Sequence, residues 1–457
     1  MDKVSVSKIS DFIGGKLYGE DCFVTNITTD SRNAVDGTMF IGIKGERVDG
    51  NDFATDFLKN GGMCAVVEKD IEIPDGKSAV LVDDTKKAIR DIAEYYRKTL
   101  EIDVIGVTGS VGKTSTKDML FSVVSKGFKT YATKGNFNNE IGVPLTVFGL
   151  DSGYKKAIIE MGMSNLGEIS RLTKIAKPDV AVITNIGTAH IGNLGSRENI
   201  LKAKLEILEG MPSDGLVVLN GDDSMLWGAR DEIGLKTIYC AIENQDADVV
   251  AYDVLAEKNG TEFKLKINEK EYKFKINTAG RHHVYNAMAA VVCGLHFGMN
   301  VEDIINGVGD FSPTGMRQKE IEVDGIKMIE DCYNASADSM KSSLETLKSV
   351  GADSRTIAVL GDMLEQGDFA EENHRLVGVY SAKNDVDTLV TVGNDSKFIA
   401  DEAKKQGVKN IFEFSDNESA ANFLATYVKK GDVVLFKASR GMKLEEVSSK
   451  LQNLLKG

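Results

Sequence analysis

Cysteine is scarce in this 457-residue chain, and what there is does not pair. The five thiols, Cys22, Cys64, Cys240, Cys293 and Cys332, are scattered, odd in number and never spaced as CxxC. That argues against a disulfide framework or a cysteine metal site and predicts free thiols in a reducing compartment. Long apolar runs are missing too. No stretch approaches the about 20 residues of a spanning helix. The first residues, "MDKVSVSKISDFIGG", carry no apolar signal core. A cytoplasmic protein with no membrane insertion is the expectation. Charge of one sign is also lacking, with 55 Lys and Arg against 69 Asp and Glu, a net charge of −14. The balance argues against non-specific nucleic-acid binding, yet a few placed cations and backbone N–H groups could still hold a small anion. Neither coiled-coil heptads nor an apolar interface stripe is evident, so a monomer is expected. There is no internal repeat and no low-complexity segment.

What is present suffices for several cores: 42% of residues are hydrophobic, in a chain too long for one ordinary domain. Residues 1–100 mix short strands ("CAVVEKD", "SAVLVDD") with a helical pattern, "TKKAIRDIAEYYRKTL". From 101 to 310, strand candidates "DVIGV", "KAIIEM", "VAVITNI" and "GLVVLN" alternate with helix candidates "KTSTKDMLFSVVSK", "NLGEISRLTKIA" and "RENILKAKLEILEG". The alternation predicts a parallel sheet covered by helices. Between 247 and 277 the period falls to two, in "TEFKLKI" and "KEYKFKI", and Asn259-Gly260 signals a turn, so antiparallel strands are expected. After "GDFSPTGMRQ" a second α/β series begins, from 311 to 457.

"VIGVTGSVGKTSTKDML" places glycines and a Lys-Thr pair between an apolar strand and a helix. Glycines let the backbone curl with its N–H groups inward, and the helix adds a positive dipole end. Lys113 would reach the outer phosphates of a nucleotide and Thr114 would ligate Mg²⁺. The general pattern G-x-x-x-x-G-K-[ST] needs glycine where Val107 stands; Gly109 is only three residues before Gly112. No Asn-Lys-x-Asp guanine reader occurs, which lowers a GTPase reading. Glu160 ends the strand of "KAIIEMGM", where such a fold needs a metal partner. His190, one of five histidines, sits in the Gly-rich loop of "ITNIGTAHIGNLGS", at the sheet edge where ligands collect. "NILKAKLEIL" carries Lys202 and Lys204. A desolvated lysine there could be neutral enough to react, whereas the ordinary reading is a solvated helix face.

Together and in order, "GVTGSVGKTS", "NNEIGVPLT", "EMGM", "TNIGTAH", "KAKLEI", "GRHHVYNAMAA", "PTGMRQ" and "KASRG" resemble the Mur ligase family, ATP-dependent amide-forming enzymes of peptidoglycan synthesis. The fit runs along nearly the whole chain, and the family's shortened phosphate turn accounts for Val107. The fold implied is α/β in three domains. A small N-terminal UDP-muropeptide-binding domain (1–100) precedes a central P-loop ATP-binding domain with a mainly parallel sheet (101–310) and a C-terminal Rossmann-like domain (311–457). "TTDSR…GTMFIGIKGERVDGNDF" resembles the UDP-sugar domain of the members that add the third residue and the dipeptide after it. The former's Asp-Asn-Pro-Arg motif is absent. "EDCYNASADSM" resembles the latter's Asp-x-Tyr-Asn-Ala-Asn-Pro-x-Ser-Met, with Ser336-Ala337 in place of Asn-Pro. The implied reaction is ATP-dependent addition of D-alanyl-D-alanine to UDP-N-acetylmuramoyl-tripeptide through an acyl phosphate.

By that resemblance Gly109, Ser110, Gly112, Lys113, Thr114 and Ser115 hold phosphate and the first Mg²⁺. Glu160, His190 and Lys204, carbamylated and fourteen residues after His190, hold the second. His282 and Asn286 match the adenine side, and Arg317 and Asp331 would face the nucleotide from the third domain. Thr29, Asp30, Ser31 and Arg32 would lie near the UDP end, and Asn138 and Asn139 in a substrate-facing loop. Tyr333, Asn334, Lys437, Ser439 and Arg440 are candidates near the dipeptide or γ-phosphate. "GDFSPTGM" is a plausible hinge for closure over the site. Two other readings stand beside this one: a family ligase adding a single amino acid to a UDP-muropeptide or glutamate to a folate, and a P-loop binding or switch protein. A mere binder would have no use for the second-metal residues.

Overall fold

The computed structural model describes residues 1–258 and 260–456. Its first large sheet has five strands, in the order Lys16–Gly19, Ser78–Leu81, Cys64–Val67, Thr38–Ile41 and Asn26–Thr28. Only Lys16–Gly19 runs antiparallel. Helix Thr85–Lys98 leads out of this unit. Asp84 caps it by accepting from Lys87 N, and Ala88, Ile89, Ile92, Ala93 and Tyr96 form its buried stripe. Arg97, buried near its end, donates to the carbonyls of Ala176, Leu100 and Ile102. Those bonds fasten the helix to the central unit, and one apolar cluster joins Ile89, Ile92 and Tyr96 to Val104, Ile159 and Leu172.

The central sheet has seven parallel strands, in the order Thr130–Ala132, Lys156–Glu160, Asp103–Thr108, Val180–Ile183, Leu216–Asn220, Lys236–Ala241 and Val249–Val250. Its middle strands are apolar runs buried on both faces, as a sheet between helices requires. Asp103–Thr108 comes first in the chain yet lies third in the sheet. The chain order reverses beside it, so a crevice opens at its carboxyl end. Helices Lys113–Val124 and His282–His296 cover one face.

An antiparallel sheet of Tyr252–Glu257, Gly260–Ile267 and Lys270–Ile276 follows. Antiparallel strands were expected here, but the tight turn between "TEFKLKI" and "KEYKFKI" is Asn268-Glu269, with φ of 49° and 66°. Both residues take the left-handed conformation that two-residue hairpins favour. Of the expected Asn259-Gly260 turn, Asn259 lies outside the described residues, and Gly260 opens a strand.

The last sheet runs Lys319–Val323, Ile326–Glu330, Val433–Lys437, Thr356–Gly361, Thr388–Val392 and Asn410–Phe414, with only the first strand antiparallel. Separate apolar clusters on its two faces make it doubly wound. The fold is α/β throughout. Among the described residues, no helix is long and apolar enough to cross a membrane.

Candidate active site

Residues 109–112 join strand Asp103–Thr108 to helix Lys113–Val124. Gly109 has φ 144° and Gly112 φ 87°, and a Cβ on Gly109 would overlap the Thr184 hydroxyl. The next strand's loop braces this turn. Ser110 N donates to Asn185 O at 3.0 Å, Val111 N to Asn185 Oδ1 at 2.9 Å, and Gly187 N to Ser110 Oγ at 2.9 Å. Lys113 Nζ folds back onto Gly109 O at 2.8 Å. Burial lowers its pKa, Glu160 opposes that, and Arg317 adds to it. Ser115 lines the same wall.

Glu160 is 1% exposed. It accepts from Thr114 Oγ1 at 2.7 Å and from Asn138 Nδ2 at 2.8 Å. Asn139 Oδ1 accepts at 2.8 Å from the N–H of Gly142, the first residue of helix Gly142–Phe148. Lys204, on helix Arg197–Leu205, is also 1% exposed. Its ammonium has no hydrogen-bond or ion-pair partner among the described residues. The carboxylates that act on it are committed elsewhere, Glu168 to Ser164 N and Glu206 to Gly167 N and Ser170 N. Burial first, then Lys113, pushes its pKa well below the ordinary lysine value. Lys202 is exposed on the same helix. His190 lines the cleft with Nδ1 2.9 Å from Glu365 Oε2. Burial, Lys113 and Lys204 hold its pKa below the usual imidazole value, against the pull of Glu365.

Among the described residues, no three His, Cys, Asp or Glu side chains gather as a ready metal site. Glu160 and His190 are side chains of two conventional ligand types, and Thr114 adds a hydroxyl. A further anionic ligand would have to come from Lys204, once modified, or from a bound phosphate.

The cleft measures about 480 Å³ and takes walls from both the central and C-terminal units. On the central side, Asn286 Oδ1 accepts from Thr116 Oγ1 at 2.9 Å. His282 packs against His283 with ring centroids 4.1 Å apart and planes tilted by 43°, and burial plus Lys437 lower its pKa to about 4. On the other side, the Arg317 guanidinium lies 3.9 Å over the Tyr333 ring. Asp331 Oδ2 accepts from Lys437 Nζ at 2.7 Å and from Ser343 Oγ at 2.6 Å. Lys437 is 2% exposed and also donates to Asn334 O at 3.1 Å.

Two of the expected residues do not reach this wall. Ser439 accepts from Leu364 N at 2.9 Å behind it, and the exposed Arg440 pairs with Glu445 at 2.5 Å. Thr29, Asp30, Ser31 and Arg32 lie in the N-terminal unit, outside the cleft lining. There Arg32 grips Asp30 through bonds of 2.8 and 2.7 Å and pulls its pKa to about 2. Sequence reasoning missed two carboxylates of the C-terminal unit, Glu365 and Asp338. Asp338 Oδ2 accepts from Thr188 N at 2.8 Å and from its hydroxyl at 3.2 Å. Asp338 stands inside a segment that stood out, "EDCYNASADSM", but its partner is 150 residues away.

A braced phosphate turn, a strand-end glutamate and a histidine share one wall, the buried Lys204 lies outside the lining but within the field of Lys113, and a doubly wound unit supplies the other wall. That combination defines a P-loop nucleotide site walled by two domains. Family models of the Mur ligase middle domain, the Mur ligase glutamate ligase domain and the Mur ligase family catalytic domain match residues 107–294, 316–440 and 23–101. The chain belongs to the Mur ligase family. It is 39% identical over 453 residues to the UDP-N-acetylmuramoyl-tripeptide–D-alanyl-D-alanine ligase of Bacillus subtilis, covering 98% of each chain. Identity to the Escherichia coli enzyme of the same name is 31%, over 99% of each. A crystal structure of MurF from Acinetobacter baumannii superposes with a TM-score of 0.90, at 29% identity over 99% of both chains. The MurF ligase of Thermotoga maritima in complex with ADP gives 0.84 at 29% identity, over 94% of this chain and 98% of that one.

Proposed function

We infer that this chain is an ATP-dependent ligase that adds D-alanyl-D-alanine to UDP-N-acetylmuramoyl-tripeptide, completing the pentapeptide precursor of peptidoglycan. The observation that carries this is its end-to-end likeness to ligases named for that reaction. The domains assigned are 1–100 for the UDP-muropeptide, 101–310 for ATP and 311–457 for closure and the incoming dipeptide. We place the enzyme in the cytoplasm as a monomer; its described thiols are free.

The chemistry needs an activated carboxylate, because an oxide is a poor leaving group. A tripeptide carboxylate oxygen attacks the γ-phosphorus of ATP and ADP leaves. The dipeptide amine then attacks the acyl phosphate, phosphate departs and the amine loses a proton. Two anions must first be brought together. Lys113 and the N–H groups of the 109–115 turn would hold the phosphates and stabilise charge on the transferring group. Mg²⁺, when bound, would supply further charge neutralisation, held by the Thr114 hydroxyl, Glu160, His190 and a carbamate on Lys204. A neutral Lys204 amine can form that carbamate with CO₂, making one N–C bond and releasing one proton. The cation beside Lys113 then becomes an anion. Arg317 and Asp331 would meet the nucleotide from the far wall, with His282 and Asn286 on the adenine side. Thr29 to Arg32 would bind the UDP end, with Asn138 and Asn139 facing the tripeptide. Tyr333, Asn334 and Lys437 would lie near the dipeptide. Closure of the two walls keeps water from the acyl phosphate.

The test is phosphate release from ATP with Mg²⁺ and UDP-N-acetylmuramoyl-tripeptide, D-alanyl-D-alanine, or both, with mass spectrometry of the product. Pentapeptide should form only with both. Turnover with a single free amino acid in place of the dipeptide would move the chain to a neighbouring ligase. Tight ATP binding without turnover would make it a binding protein.

A further inference from the structure

His190 touches the C-terminal domain through its ring. Its Nδ1 lies 2.9 Å from Glu365 Oε2, across 175 residues of chain, and Nε2 has no partner among the described residues. His190 and Glu365 have φ of 63° and 62°. Non-glycine residues hold that conformation only where their surroundings enforce it. The two backbones meet as well, since a Cβ on Gly192 would lie 2.7 Å from Glu365 O and 2.8 Å from Gly367 N. The Glu365 loop is fixed from behind. Leu364 N donates to Ser439 Oγ at 2.9 Å, Met363 N to His374 Nε2 at 2.9 Å, and Asn373 Nδ2 to Gln366 Oε1 at 2.6 Å.

We propose that Glu365 is a positioning residue: it accepts the Nδ1–H of His190, fixing the ring's tautomer and angle, so that docking of the C-terminal domain completes a metal site in the central one. A carboxylate can only accept, so Nδ1 carries the proton and the Nε2 lone pair is left to face the cleft. Ser439 acts one step further back, by holding the loop that carries Glu365. This rests on the reading of His190 as a metal ligand. It adds that the ligand is not preset within its own domain.

The probe is Mn²⁺, titrated by electron paramagnetic resonance against the full chain with a non-hydrolysable ATP analogue. Wild type, H190A, E365A, E365Q and G192A are compared, and nucleotide affinity is measured separately without metal. Mn²⁺ affinity should fall about ten- to a hundred-fold in E365A. E365Q should recover part of it, because its carbonyl still accepts from Nδ1–H. G192A, which forces the loops apart, should follow E365A. Weakening in H190A with E365A unchanged would overturn the role of Glu365 and leave the metal reading standing. No effect in H190A would overturn both. Equal loss of metal-free nucleotide binding in E365A would show general damage and also refute the proposal.

Discussion

Replacing Lys204 with Met should abolish ligation and yet raise stability. Lys204 is 1% exposed, and its ammonium has no partner among the described residues and lies within the field of Lys113. Methionine keeps the stem's packing and removes the buried charge. The pH dependence gives the sharper test. Folding lowers the Lys204 pKa below 10.5. Between its folded value and 10.5 the unfolded chain therefore binds more protons than the native one, and stability rises with pH there. One group contributes at most about 1.4 kcal/mol per pH unit across that window, and below the folded value its penalty is constant. Wild-type stability should accordingly climb toward that of Lys204→Met as the medium becomes alkaline. Urea unfolding of both proteins in CO₂-free buffer, over about pH 6 to 9, reads the difference directly. Bicarbonate should then stabilise the wild type alone, because the native amine is the one that reacts. Parallel curves for the two proteins, or a variant that is the less stable at every pH, would refute the reasoning.

Gly109→Ala should cost about 1 kcal/mol or more in stability, and most of the ATP affinity, because its Cβ would overlap the Thr184 hydroxyl at φ 144°; calorimetry and nucleotide titration check it. Asp331→Ala leaves Lys437 buried without its carboxylate, an expected loss of about 3–5 kcal/mol that the double variant with Lys437→Met should largely restore; urea unfolding would show otherwise if the single variant were nearly neutral. Asp338→Ala removes a charged acceptor for Thr188 N and Oγ1, bonds worth about 1.5–3 kcal/mol together. The closed arrangement should weaken about ten-fold or more, so small-angle scattering of the variant with nucleotide and UDP-N-acetylmuramoyl-tripeptide should show a larger radius than wild type with the same ligands; an unchanged radius would remove Asp338 from the closing contacts.

The sequence made the sheets legible because parallel strands buried on both faces leave apolar runs that no exposed segment shares. "VAVITNI" and "GLVVLN" are such runs, and they are strands. The phosphate turn was legible for a similar reason, since its glycines and its Lys-Thr pair stand within a few residues of one another and the glycines are fixed by backbone geometry, although its bracing bonds run to Asn185 and Gly187. The Asn268-Glu269 hairpin was missed because Glu269 at φ 66° departs from the glycine such turns usually show. Glu365, Asp338 and Ser439 were invisible or misassigned for a different reason. Each acts through a partner 75 or more residues away, and no local pattern marks which surface carboxylate will face a histidine in another domain.

The groups that would bind phosphate, from Gly109 to Ser115, are assembled within the central domain and are braced by Asn185 and Thr184 of the neighbouring strand loop. The groups that would orient the metal-binding arm reach it only from the C-terminal domain. The connecting segment is itself tied at both ends to helix Lys113–Val124 and the turn just after it. Thr314 Oγ1 donates to Asp118 Oδ2 at 2.5 Å, and Lys126 pairs with Asp310 at 2.5 Å. Beyond those anchors the chain passes through Gly315, at φ 72°. Nucleotide could thus bind to the central domain alone. By the proposed mechanism, the full set of charges for phosphoryl transfer would come together only once the C-terminal domain has docked, as water is excluded from the acyl phosphate.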